Sequence, residues 1–213
     1  VKSWGPWRFT QKNIVNSQKV GPTIADDIKT SSVWAVIVAL LLVSVYIFIR
    51  FNDFGFSMGA MASLLHDVIV IIGVFALLWG IMPFFMEIDQ SFIAAILTYV
   101  GFSVNDTVVI FDRIRENIRL YPKRDRKEII NDALNDTLSR TFSTSMSVFV
   151  VLLAIFLFGG DTIRGFVFAL LVGTILGVYS TLFVAVPIAF DIIEVRKKKK
   201  ASKELTAVPV TKK

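Results

Sequence analysis

Five apolar runs, each about as long as a lipid bilayer is thick, decide what this chain can fold into. They cover residues 33–51, 57–82, 91–111, 140–158 and 163–191. About 20 consecutive apolar residues carry a helix across the hydrocarbon core. The expected fold class is therefore an all-α membrane protein with five transmembrane helices. Composition agrees: 54% of the residues are hydrophobic and the mean hydropathy is +0.66, against about 45–50% apolar in a soluble domain.

The punctuation between the runs is short. Trp34 and Arg50 stand at the two ends of the first run as interfacial anchors. Asn52-Asp53-Phe54-Gly55 makes a turn, Pro83 ends the second run, and a small acidic loop carries Glu87 and Asp89. Gly159-Gly160-Asp161 makes a tight turn, and Pro187 interrupts the fifth run late. Only one connection is long, the charged segment 112–139. Within it Ile130, Leu134 and Leu138 recur four apart, which predicts one face of an amphipathic helix lying at the membrane surface and delivering the chain to Arg140.

Three regions follow. Residues 1–32 are mixed and polar, with Trp4, Trp7 and Phe9 scattered and a Val20-Gly21-Pro22 turn. Pro22 suits a helix start, and Ile24 with Ile28 suggests a brief interfacial helix. Residues 33–191 form the helix bundle. Residues 192–213 are a basic tail opening Arg196-Lys197-Lys198-Lys199-Lys200, expected to be disordered. The chain starts Val1-Lys2-Ser3-Trp4, without Met and without a signal-peptide pattern, and reads as a fragment or as the C-terminal part of a longer chain.

Lys and Arg placement sets the orientation. With five spans, segment 112–139 and the tail share a side, and both are basic. The 83–90 loop and the 159–162 turn carry no Lys or Arg. The basic side is therefore expected to be cytoplasmic. The first 30 residues carry five Lys or Arg on the opposite side, as the end of a translocated soluble domain can. The basic stretches also suit contact with anionic lipid or an acidic partner surface.

Asp106 is the leading candidate for chemistry. It lies inside the third run, where a carboxylate costs roughly 2.5–3.5 kcal/mol to insert and usually faces a bundle interior or a wet path. Helical geometry puts Tyr99, Ser103, Asp106 and Ile110 on one stripe, flanked by Asn105 and Thr107. Burial disfavours the charged form of a carboxyl, which suits a group that binds and releases a proton. The plainer alternative is that Asn105-Asp106-Thr107 is polar glue between helices. Arg140, expected at the start of the fourth span, is the candidate counter-charge. Thr144 and Ser147 continue its face, with Thr141 and Ser143 nearby, and such a row can line a wet cavity; a snorkelling anchor is the alternative. His66 and Asp67 lie inside the second run and form a possible proton relay, or else an interfacial or structural pair. Gly165, Ala169, Gly173, Gly177, Thr181 and Ala185 recur every four residues, a spacing that lets helices approach closely.

Several chemistries are excluded or disfavoured. The chain has no Cys and one His, so thiolate metal sites and disulfides are impossible and a His-based metal site is not expected. No cofactor, phosphate loop or nucleic-acid-binding pattern is present. Asp161 follows Gly159-Gly160, but Phe158 breaks the Gly-x-Gly-Asp pattern of an intramembrane aspartyl protease. The chain is not expected to be an enzyme.

The run Val104-Asn105-Asp106-Thr107-Val108-Val109-Ile110-Phe111-Asp112-Arg113-Ile114-Arg115-Glu116-Asn117 closely resembles the signature of SecF, the smaller half of the bacterial SecDF accessory complex for protein export. Val20-Gly21-Pro22, Leu65-His66-Asp67-Val68, Leu138-Ser139-Arg140-Thr141 and Phe158-Gly159-Gly160 agree with the family in order, so the resemblance spans about residues 20–191. It implies one half of an RND-type (SecD/SecF) membrane bundle in the bacterial inner membrane. The first of six helices and most of a periplasmic domain would lie before this chain. SecD, separate or fused, would supply the other half. The resemblance further implies use of the proton-motive force to promote preprotein translocation through SecYEG. It ties the Asp of the Asn-Asp-Thr motif and the Arg of the Ser-Arg-Thr motif to proton transport, which places those roles on Asp106 and Arg140. The remaining alternatives are an RND-type half-transporter for lipid or small molecules, and a non-transporting scaffold subunit of the translocase.

Overall fold

The computed structural model describes residues 22–82, 84, 86 and 88–206. Expectations placed on residues 1–21, Pro83, Glu87 and the last part of the tail lie outside the described residues. Within them the chain is helical: α1 Pro22–Phe51, α2 Phe54–Leu78, α3 Gln90–Leu120, α4 Arg126–Phe158, α5 Asp161–Ser180, a π-helical segment Thr181–Ala185, and α6 Val186–Thr206. The last three form one continuous rod, so five helices are long and apolar enough to cross a membrane. Among the described residues there is no strand.

The turns follow from local chemistry. Asp53 caps α2 by accepting from the Gly55 N–H at 2.8 Å, and Asp89 caps α3 by accepting from the Phe92 N–H at 2.8 Å. Gly80, with φ at 78°, takes the left-handed conformation that ends a helix cheaply. That is why α2 stops at Leu78 rather than at 82 as the apolar run suggested.

Five expectations are corrected. The long connection 112–139 is mostly helix: α3 continues to Leu120 and α4 begins at Arg126. Its charged residues are good helix formers, and Arg113 pairs with Glu116 one turn on at 2.8 Å. The amphipathic stretch is not a separate surface helix but the first half of α4. Its buried stripe is Ile129, Ala133, Thr137, Thr141 and Ser145, one residue ahead of the expected face, and Leu138 is 45% exposed. The brief interfacial helix at Pro22 is continuous with the first span. The stretch from Arg196 is helical as far as Thr206 rather than disordered. Pro187 does not interrupt the last span either. Proline clashes with the carbonyl four residues back, here Phe183, which lies in the π-helical segment. The wider π turn, closed by the Val186 N–H on the Thr181 carbonyl, lets the rod pass through.

Packing is centred on α2, α3 and the α5–α6 rod. Helix α1 lies against α2 and α3, and α4 lies against α3 and α5. The membrane-length windows of α1 and α4 are only 11% buried, so both flank the bundle and leave broad apolar faces open. Ala169, Gly173, Gly177, Thr181 and Ala185 of the rod are all buried; Gly173 and Gly177 admit Tyr99 of α3, and Ala185 meets Gly59 of α2. Tyr99 of α3 lies flat against Gly173 and Gly177.

Basic residues gather at one end of the bundle. There Arg50 of α1 pairs with Asp112 of α3 at 2.7 Å, Arg115 reaches the Arg50 carbonyl at 3.3 Å, and Arg196 stacks over Phe54 at 4.5 Å. Phe51, Phe56 and Phe111 seal the interior behind them, with ring centroids 4.8–5.8 Å apart. The opposite end carries the α2–α3 connection and the Gly159–Gly160 turn.

Candidate functional site

Two carboxylates lie inside the bundle. Asp106 sits on the buried stripe of α3 with Tyr99, Ser103 and Ile110, as the helical spacing predicts, and is 6% exposed. Its one hydrogen bond among the described residues comes from the Ser145 hydroxyl of α4, at a long 3.4 Å to Oδ2. A buried carboxylate held by a single long bond is under-satisfied. Ser145 also lines an apolar groove of about 400 Å³ between α4 and α5, walled by Phe142, Met146, Tyr179 and Phe183.

Arg140, the candidate counter-charge, is on α4. It lies in the middle of the long α4, which begins at Arg126. It helps to line a polar groove of about 350 Å³ with Asp112, Arg113, Glu116, Asp136 and Thr137. The acids of that groove are already engaged: Asp112 by Arg50, and Glu116 and Asp136 by Arg113 at 2.8 and 2.7 Å. Among the described residues Arg140 makes no ion pair. Thr144 and Ser147 bond back to the Arg140 and Ser143 carbonyls, and both are exposed. Ser143, Thr144 and Ser147 of the predicted row thus face outward from these five helices, while Thr141 is buried.

The neighbours of Asp106 divide. Asn105 is exposed and joins no buried contact, so the structure does not bring it into the site. Thr107 is buried, donates to the Ser103 carbonyl at 3.1 Å and pairs with Thr181 of the π-helical segment at 3.2 Å.

Asp67 is the second carboxylate and is fully buried. It lies near the middle of α2, since that helix starts at Phe54 rather than later. Oδ2 accepts from the Tyr99 hydroxyl at 2.5 Å and from the Ser180 hydroxyl at 2.6 Å. Oδ1 faces His66 Nδ1 at 3.0 Å. Sequence reasoning placed Tyr99 on the right stripe without a partner, and passed over Ser145 and Ser180. Each of those serines is a hydroxyl inside an apolar run, the same signal that marked Asp106.

The comparisons with known proteins place the chain in a family. Residues 7–195 match the family model described as protein export membrane protein SecD/SecF, C-terminal. The chain is 46% identical over 196 residues to the protein translocase subunit SecF of Rhodothermus marinus, covering 92% of this chain and 62% of that protein. It is 42% identical over 173 residues to the SecF of Haemophilus influenzae, covering 81% of this chain and 51% of that protein. A crystal structure of SecDF in a super-membrane-facing form superimposes with a TM-score of 0.74 at 35% identity, covering 86% of this chain and 24% of that one. The chain thus spans between half and two thirds of the length of these curated relatives.

Proposed function

This chain belongs to the SecD/SecF family of protein-export membrane proteins, and from that premise we propose that it forms the membrane half through which a SecF subunit turns proton movement into protein export. The observation that carries the reading is the state of Asp106: buried at mid-helix and held by one long hydrogen bond from Ser145 of α4, the helix that also carries Arg140.

In the proposed cycle Asp106 is the proton carrier and Arg140 its counter-charge. With Asp106 ionised, Arg140 and Ser145 favour an arrangement that keeps α4 close to α3. A proton arriving on Asp106 removes that attraction, and α4, mostly exposed along its membrane window, is free to shift against α3 and α5. The driving force is adequate in scale, since one charge crossing about 100 mV releases roughly 2.3 kcal/mol. The outward faces of α4 and α5 are where the second, SecD half packs in this reading. It would complete the proton path that five helices do not close alone. SecYEG and the emerging preprotein are the proposed partners, and the motion is delivered to parts of the protein outside this chain. The basic end, with the Tyr121–Asp125 turn and the C-terminal helix, lies in the cytoplasm of a bacterial inner-membrane protein.

The test is export in cells carrying Asp106→Asn in the full-length subunit, with assembly of the complex verified. The reading predicts export at the level of a deletion. Export at the wild-type level would leave a scaffold role instead.

A further inference from the structure

We infer that Asp67 is a second proton-binding site of this bundle, reached through His66 and held in place by Tyr99 and Ser180. The inference deepens the proton-driven reading and rests on it only for the consequence in export; the site stands on its own geometry.

The two oxygens of Asp67 have different surroundings. Oδ2 is taken by two hydroxyl donors from two other helices, Tyr99 of α3 at 2.5 Å and Ser180 of α5 at 2.6 Å. Oδ1 is left to His66 Nδ1 at 3.0 Å. A carboxyl needed only to receive two hydroxyls could be replaced by an amide oxygen, and the second oxygen would need no titrating neighbour. Here that oxygen meets an imidazole, whose two ring nitrogens can take up and pass on a proton. The side chain of His66 is 35% exposed while that of Asp67 is fully buried, so the imidazole bridges the outside of the helix bundle and the interior carboxyl. Among the described residues no other charged group meets Asp67: α3 contributes Tyr99, and α5 contributes Ser180 together with Tyr179, whose ring lies 6.4 Å from that of His66.

The exchange is a simple transfer. His66 takes a proton from outside on Nε2 and becomes doubly protonated. Its Nδ1 proton passes to Asp67 Oδ1, leaving a neutral imidazole and a neutral carboxyl. The new O–H donates back to Nδ1, and the reverse step returns the proton. Throughout, Tyr99 and Ser180 keep donating to Oδ2, so the carboxyl does not rotate away.

The position gives the site something to act on. Ser180 is the residue before the π-helical segment, and Thr181, the first residue of that segment, pairs with Thr107, the chain neighbour of Asp106. Protonation weakens Oδ2 as an acceptor for Ser180 and so loosens the rod at its irregular turn, next to the Asp106 stripe.

The test is infrared difference spectroscopy between acidic and alkaline buffers on the full-length subunit assembled with its SecD partner in liposomes. A protonated-carboxyl band should be present in wild type and in D106N and lost in D67N. It should shift in frequency in Y99F, which removes a donor, and its midpoint pH should move in H66Q. The amide introduced by D67N keeps an acceptor oxygen for both hydroxyls, so that variant is expected to assemble, and Y99F supplies the same assignment independently. Retention of every band in D67N, together with no shift in Y99F, would overturn the inference, as would loss of every band in D106N. An unmoved midpoint in H66Q would overturn the role of His66. Normal export by D106N would sink the proposed role of Asp106 and leave the Asp67 band untouched.

Discussion

The Tyr99 hydroxyl donates to Asp67 Oδ2 at 2.5 Å, joining α3 to α2 across 32 residues of sequence at the centre of the bundle. Tyr99 can reach because the rod behind it is built of Gly173 and Gly177, and the same carboxylate oxygen draws in Ser180 from that rod. Three helices are thus fixed by one side chain.

Removing only the hydroxyl tests that junction. Tyr99→Phe keeps the ring packed on Gly173 but leaves Asp67 one donor short, a loss of about 1–3 kcal/mol for a buried acceptor. A lowered midpoint in thermal unfolding of the purified complex, with unchanged assembly, is expected. An unchanged midpoint would mean that the ring alone holds α3.

Gly173 and Gly73 make a paired prediction. A Cβ on Gly173 would stand 2.6 Å from a Tyr99 ring carbon, whereas nothing lies within 4 Å of one on Gly73. Gly173→Ala therefore forces Tyr99 off its place and costs about 1–3 kcal/mol. Gly73→Ala is neutral or stabilising by up to about 1 kcal/mol, from helix propensity. Thermal unfolding of the two variants side by side checks the ordering.

Much of this was legible beforehand, for a physical reason. Hydrocarbon admits only long apolar helices, so the five spans and the buried stripe of Asp106 follow from hydropathy and a 3.6-residue period. The water-exposed continuations of α3 and α4 did not, because outside the bilayer a helix is kept by capping and charge pairs rather than by apolarity, and Arg113 with Glu116 looks like loop to a hydropathy reading. The face of α4 was read one residue late because Ile130, Leu134 and Leu138 are the larger residues, while close packing on α3 selects Ala133, Thr137 and Thr141. Ser180 and Ser145 were missed because they meet their carboxylates across 113 and 39 residues, which no local period records.

The Arg50–Asp112 pair at the basic end should matter little for stability. Both side chains are about two-fifths exposed, and exposed pairs are worth roughly 0–1 kcal/mol and are screened by salt. Arg50→Gln is expected to shift unfolding of the complex by less than about 1 kcal/mol at moderate salt. A larger loss would mean that Arg50 orders the end of α1 by some further contact.

The central claim is that Asp106 carries the proton that drives export. The most direct measurement is the rate of preprotein translocation by vesicles holding the full complex, with and without an imposed proton gradient, for wild type and Asp106→Asn. The account predicts that the gradient accelerates wild type and leaves the assembled variant at its no-gradient rate. A variant that still responds to the gradient like wild type would contradict it.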